Sequence, residues 1–100
     1  MTEAIARLHI ALADSDPLIW HRVDVPVDTN LKMLHDVIQG AMGWLDYHLW
    51  EFEAADKRYG VPDPDWEDDT LLAAKNTKLD TRNYLFLSAR MRRLVKVFVD

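Results

Sequence analysis

The chain's patterning predicts an α+β domain: an antiparallel or mixed sheet in the order β-β-α-β-loop-β, with one main helix, about residues 29–43, packed on one face. Three observations carry this. Apolar residues alternate with period two in Ala4–Leu12, Leu18–Val25, Tyr47–Ala54 and Leu94–Val99, the signature of half-buried strands. Between the second and third of these, Leu31, Leu34, Val37, Ile38, Ala41 and Met42 recur at spacings of three and four, a core-facing helical stripe. Finally, 100 residues is a single-domain length, and 49% hydrophobic with 29% charged residues is a globular composition.

Taken in order, Ala4, Ala6, Leu8, Ile10 and Leu12 share one parity, against Ile5, Arg7, His9 and Ala11. Ala13–Pro17 is a turn cluster whose Asp and Ser side chains can bond their own backbone. Ile19, Val23 and Val25 then oppose Trp20, Arg22 and Asp24, so the first two strands form a hairpin, and Pro26, which has no N–H for a ladder, ends it. Asp28 or Thr29 is placed to cap the helix. Lys32, His35, Asp36 and Gln39 fall on its wet side, and Gly43 is placed as a left-handed stop. Gly40 lies inside the helical pattern, where it costs about 1 kcal/mol against alanine; close approach of another backbone, or of a ring such as Trp44, would explain it.

In the third strand His48, Trp50, Phe52 and Ala54 share a face, opposite Leu49, Glu51 and Glu53. Lys57–Asp69 holds two prolines and a glycine and reads as a long loop. Thr70–Leu79 is a short strand or helical turn followed by loop, and Asn83–Arg93 reads as a short helix on Tyr84, Leu85, Leu87, Ser88 and Met91. In the last strand Val95, Val97 and Val99 oppose Lys96 and Phe98. There is no internal repeat or linker, so residues 1–100 form a single domain.

The absence of cysteine excludes disulfides and thiolate metal sites. The N-terminal segment is interrupted by Arg7 and His9, unlike a signal peptide, and no window approaches a membrane span of about 18–20 apolar residues. A soluble, cytoplasmic protein with no membrane association is expected. The net charge of −5 opposes a broad phosphate-binding surface. The charge is uneven all the same: Asp63–Asp69 is acidic, whereas Arg90, Arg92, Arg93 and Lys96 form a basic cluster, the candidate nucleic-acid contact.

His9, His21, His35 and His48 have neither zinc-protease nor finger spacing. They read as surface or core-edge imidazoles, with His9 and His21 able to face each other across the hairpin. The acidic run lacks the glycine and glutamate of a calcium loop, holding Asp68 and Ala74 at those positions. No serine elbow or phosphate-cradling glycine loop is present. No catalytic residue, metal ligand or cofactor is assigned. The candidate binding residues are Trp20, Arg22, His48, Trp50, Asp63, Asp65 and Trp66. Trp20 and Arg22 lead them, because a Trp and an Arg on one strand face are common in binding hot spots.

The segments Ile19–Val23 with Val25-Pro26, Leu34–Trp44, His48–Phe52 and Arg58–Asp63 occur in an order and form that resembles the plasmid pRiA4b ORF-3-like family. The likeness covers residues 5 to about 80 and is most specific from the helix into the following strand. It implies a small α+β domain of bacteria or archaea, linked to mobile elements, sometimes labelled a passenger or resolvase-like protein, with no established activity. Recombinase chemistry would need an activated serine in a basic setting, which this chain lacks. Where the family pattern has "HLH-x-F", this chain has Trp50 in place of the second histidine. The pattern also runs on through a "YDFGD" strand and turn, whereas here Val97–Asp100 meets only its start. A shortened or frame-shifted member is implied, with a last strand that lacks a partner and leaves an open edge for another copy.

Three functions follow as expectations. The first is a non-enzymatic interaction module that binds a protein, or itself through an open sheet edge. The second is a nucleic-acid-binding accessory protein of a mobile element, and the third a metal-dependent hydrolase using His48 with acidic loop residues.

Overall fold

The computed structural model describes residues 4–13, 15–44, 50–63, 65, 70–79, 85–89 and 93–99. Seven strands form one open, mixed sheet: β1 (Ile5–Leu12), β2 (Trp20–Pro26), β3 (Trp50–Ala54), β4 (Lys57–Gly60), β5 (Leu71–Ala73), β6 (Leu85–Ala89) and β7 (Arg93–Val99). Their spatial order is β2-β1-β7-β6-β3-β4-β5. Every neighbouring pair is antiparallel except β4 with β5.

The hairpin β1–β2 forms as its alternation requires, with Leu8 opposite Val23 and Ala6 opposite Val25. Ser15 closes its loop: the hydroxyl donates to the Leu12 carbonyl (3.0 Å) and accepts from the Ile19 N–H (2.9 Å). His9 and His21 do not face each other. His9 stands opposite Arg22 and His21 opposite Ile10, and adjacent residues of a strand point to opposite faces.

The helix α1 spans Leu31–Met42. Its cap is Asn30 rather than Asp28 or Thr29: Asn30 Oδ1 accepts from the Met33 N–H at 2.8 Å. Thr29 is buried instead, its hydroxyl donating to the Pro26 carbonyl and its own carbonyl accepting from the Leu79 N–H at 2.8 Å. Gly43 terminates the helix at φ +69°, with the Gly43 N–H on the Gly40 carbonyl and the Trp44 N–H on the Gln39 carbonyl, the paired bonds of a Schellman stop. Gly40 has no close neighbour: a Cβ built there would meet nothing within 4 Å. His35 and Gln39 are buried rather than wet, because α1 inserts a wider face into the core than its apolar stripe marks out.

Leu31, Leu34 and Ile38 of α1 join one core with Leu8, Ile10, Phe52, Leu87, Val95 and Val97. All the sheet residues of that set share one face, so α1 covers one side of the sheet. After β5 a single 3₁₀ turn, Ala74–Asn76, leads back to the start of α1, where the Leu31 N–H donates to the Thr77 carbonyl.

The second half of the chain differs from expectation in three places. Lys57–Gly60 is not loop but β4, joined to β3 by Ala55 and Asp56 at φ +49° and +67°. Both turn residues are left-handed, as tight hairpins require, yet neither is the glycine or asparagine that advertises such a turn. Leu85–Ala89 is strand β6 and not helix; it lies between β7 and β3, and pairing on both sides outweighs local propensity. Finally, β7 is not an unpartnered strand. It pairs with β1 on one side and β6 on the other, so the open edges are β2 and β5.

Candidate functional site

The face of the sheet opposite α1 is covered by no helix or strand among the described residues. Pairing registers define what stands on it. One row crosses six strands, Trp20–Ala11–Lys96–Phe86–Glu53–Arg58, each residue directly opposite the next. With strands about 4.8 Å apart it is about 24 Å long. A parallel row runs Arg22–His9–Phe98, and beyond it Asp24 faces Arg7.

Side chains from the two rows interlock. The His9 imidazole stacks on the Trp20 indole at 4.7 Å between ring centres and 8° between planes, and on Phe98 at 4.8 Å and 22°. Histidine is thus the middle ring of a three-ring stack drawn from three strands. A cation lies over each outer ring, the Arg22 guanidinium 5.6 Å from the Trp20 centre and the Lys96 ammonium 5.5 Å from that of Phe98. Such contacts orient the cations and contribute about 0.5–1 kcal/mol each where exposed. Trp20 nevertheless remains 44% exposed, and Phe86 and Leu94 37% each, so the face carries more apolar surface than a merely solvated sheet face needs.

Charge is divided along the row. On the β2-β1-β7 side stand Arg7, Arg22 and Lys96 with one carboxylate, Asp24; on the β3 side stand Glu51 and Glu53, with Arg58 beyond. Arg7 forks onto Asp24 (Nε–Oδ1 2.9 Å, Nη2–Oδ2 3.2 Å), and Arg58 onto Glu51 (2.7 and 3.2 Å). The hydrogen bond from Arg7 holds the Asp24 carboxyl below its ordinary 3.8 against the opposing effect of burial, and the Arg7 and Arg22 charges lower it further.

Of the candidate residues, Trp20, Arg22 and Lys96 come together here, although Trp20 and Lys96 are far apart in sequence. Trp50 does not join them. It lies on the helix-covered face, its ring stacked on His35 at 4.0 Å and 11° and set edge-on to Phe52. Asp63 and Asp65 are exposed in the segment after β4, where the Asp65 N–H donates to Asp63 Oδ1, toward the sheet edge opposite Trp20. Arg93 begins β7 opposite Ala89. His48, Trp66, Arg90 and Arg92 lie outside the described residues. Among those described, no group of three or more His, Asp or Glu could hold a metal, and no helix is long and apolar enough to cross a membrane.

His9, Phe86, Phe98 and Glu53 are site residues that patterning did not single out. The parity of His9, Glu53 and Phe98 was legible in sequence, whereas Phe86 fell in a segment that reads as helix; which strands stood beside them was not legible for any of the four.

Among the described residues the architecture is an α+β domain, mostly sheet, with one helix, which packs on one side of it. The profile of the family described as "Plasmid pRiA4b ORF-3-like protein" matches residues 4–91, and the chain belongs to that family. It is 39% identical over 75 residues to the uncharacterized protein y4hQ of Sinorhizobium fredii, a match covering 75% of this chain and 39% of that one. The crystal structure of a protein of unknown function, MM3350 from Methanosarcina mazei Go1, superposes on all of this chain with a TM-score of 0.87 at 26% identity, over 61% of its own length. The chain therefore spans well under two-thirds of y4hQ and somewhat under two-thirds of MM3350.

Proposed function

We propose that this protein is a non-enzymatic interaction module of the bacterial cytoplasm, associated with mobile elements, that binds a protein partner through the outer face of its sheet. The observation that carries this is the Trp20–His9–Phe98 stack, flanked by Arg22 and Lys96 on the sheet face that no described helix or strand covers. Aromatic rings already ordered by their neighbours lose little rotamer entropy on binding, and Trp and Arg are enriched at the energetic centres of interfaces. Trp50, also a candidate binding residue, is not part of this stack; its ring packs on His35 on the helix-covered face.

The test is cross-linking in the host cell followed by affinity capture, comparing the native protein with Trp20→Ala/Phe98→Ala. The native protein is expected to retain a stoichiometric partner that the double variant loses while keeping its circular dichroism. Equal retention by both, or no partner for either, would sink the proposal.

Lys96 and Arg22 beside an aromatic stack favour one second reading, a nucleic-acid accessory role in which Lys96 acts with Arg90, Arg92 and Arg93. Binding to single strands through stacking and phosphate contacts weakens steeply with salt. A gel shift at low salt is the check, and its absence disposes of this alternative.

A further inference from the structure

The recognition role proposed above leaves the partner unnamed, and the geometry points to a second copy of this chain, packed face to face on the outer sheet surface. This inference rests on that role and deepens it.

The strand order has a centre. In β2-β1-β7-β6-β3-β4-β5 the middle strand is β6, and Phe86 is its residue in the long outer row, flanked by Lys96 on β7 and Glu53 on β3. A two-fold axis between two stacked sheets, parallel to the strands and passing over β6, reverses that row. Phe86 then meets Phe86 of the second copy, Lys96 meets Glu53, and Glu53 meets Lys96. Further out, Trp20 on β2 meets Leu71, which stands opposite Arg58 on β5. A two-fold interface must be self-complementary in this way. Here an apolar residue lies at the centre, with opposite charges placed symmetrically about it.

Sheets pack face to face about 10 Å apart, with strands within about 30° of aligned. The match is therefore closest near the axis, where Phe86, Lys96 and Glu53 stand. A polyanion would meet Glu51 and Glu53 across half of the same face. A surface positive on one side and negative on the other is complementary to its own reversed image. The face is about 30 Å by 20 Å, so two copies would bury about 1,200 Å² in all, at the low end for a specific interface.

Sedimentation velocity from roughly 1 to 500 micromolar tests this. The native protein is expected to pass from monomer to dimer. Lys96→Glu and Glu53→Lys each place like charges across the axis twice, and each should weaken self-association by at least about tenfold. An equimolar mixture of the two variants should recover it, since both contacts become attractive in the heterodimer. Circular dichroism shows whether the variants keep their fold, and Phe86→Ala gives a second, charge-independent loss.

A native monomer throughout, dimers that ignore both charge reversals, or a mixture that stays monomeric would each overturn the proposal; the second would indicate pairing through the edges β2 or β5. A native monomer that still captures a partner lost by Trp20→Ala/Phe98→Ala overturns the self-pairing alone. One that captures nothing removes both readings, and one that shifts a single-stranded oligonucleotide transfers the face to nucleic acid.

Discussion

Arg7 and Asp24 face each other across β1 and β2 with two nearly parallel hydrogen bonds, and the carboxyl is held below its ordinary value as a result. A carboxyl whose folded pKa is depressed adds stability that is present above the unfolded value of 3.8 and lost as pH falls through the folded one. Replacing Arg7 with Ala should move the Asp24 titration midpoint back up toward 3.8, read by carbon NMR of the side-chain carboxyl, while the fold persists. Asp36 shows the opposite balance of causes with the same result. Burial alone pushes its carboxyl up, but the Lys32 ammonium, bonded at 2.7 Å, and the adjacent His35 outweigh that and leave it low. His35 itself is a buried imidazole stacked on Trp50. Its place on the helix is polar by sequence and interior by structure, because an indole from β3 covers it.

At the level of elements, α1 was the most legible part of the chain. Its apolar spacing, capping region and glycine stop are local features, and local features survive without knowledge of neighbours. Gly40 is the exception: its presence suggests a close contact, yet the space around it is open. With no clash to relieve, Gly40→Ala should stabilise the protein by about 1 kcal/mol through helix propensity, seen as a higher thermal midpoint. The strands β4 and β6 were hidden for different reasons. In β4, four residues beside an Ala-Asp turn carry too little pattern. In β6, Leu85–Ala89 has residues that suit a helix equally well, and the decision falls to β3 and β7 on either side.

For the whole molecule, the decisive fact is that β7, last in the chain, is third in the sheet. It carries Val95 and Val97 into the centre of the core and Lys96 and Phe98 onto the outer face. Val97→Ala, fully buried there, should cost about 1–3 kcal/mol in denaturant unfolding, whereas Leu72→Ala in the exposed edge strand β5 should cost under about 0.5. Comparable losses at the two positions would contradict the placement of β7. The same return of the chain end to the interior builds the outer face: without β7 between β1 and β6, Trp20 and His9 would have no Phe98, and the charge-divided row would have no middle.

Periodicity was enough to specify the α+β class, the parity of β1, β2, β3 and β7, the helix and its stop, and the placing of Trp20 with Arg22 on one face, since each follows from the geometry of a single segment. The sheet order, the open face, the three-ring stack and the opposition of Lys96 to Glu53 across Phe86 arise only when strands distant in sequence lie about 4.8 Å apart. Nothing in a strand's own alternation says which strand will be its neighbour.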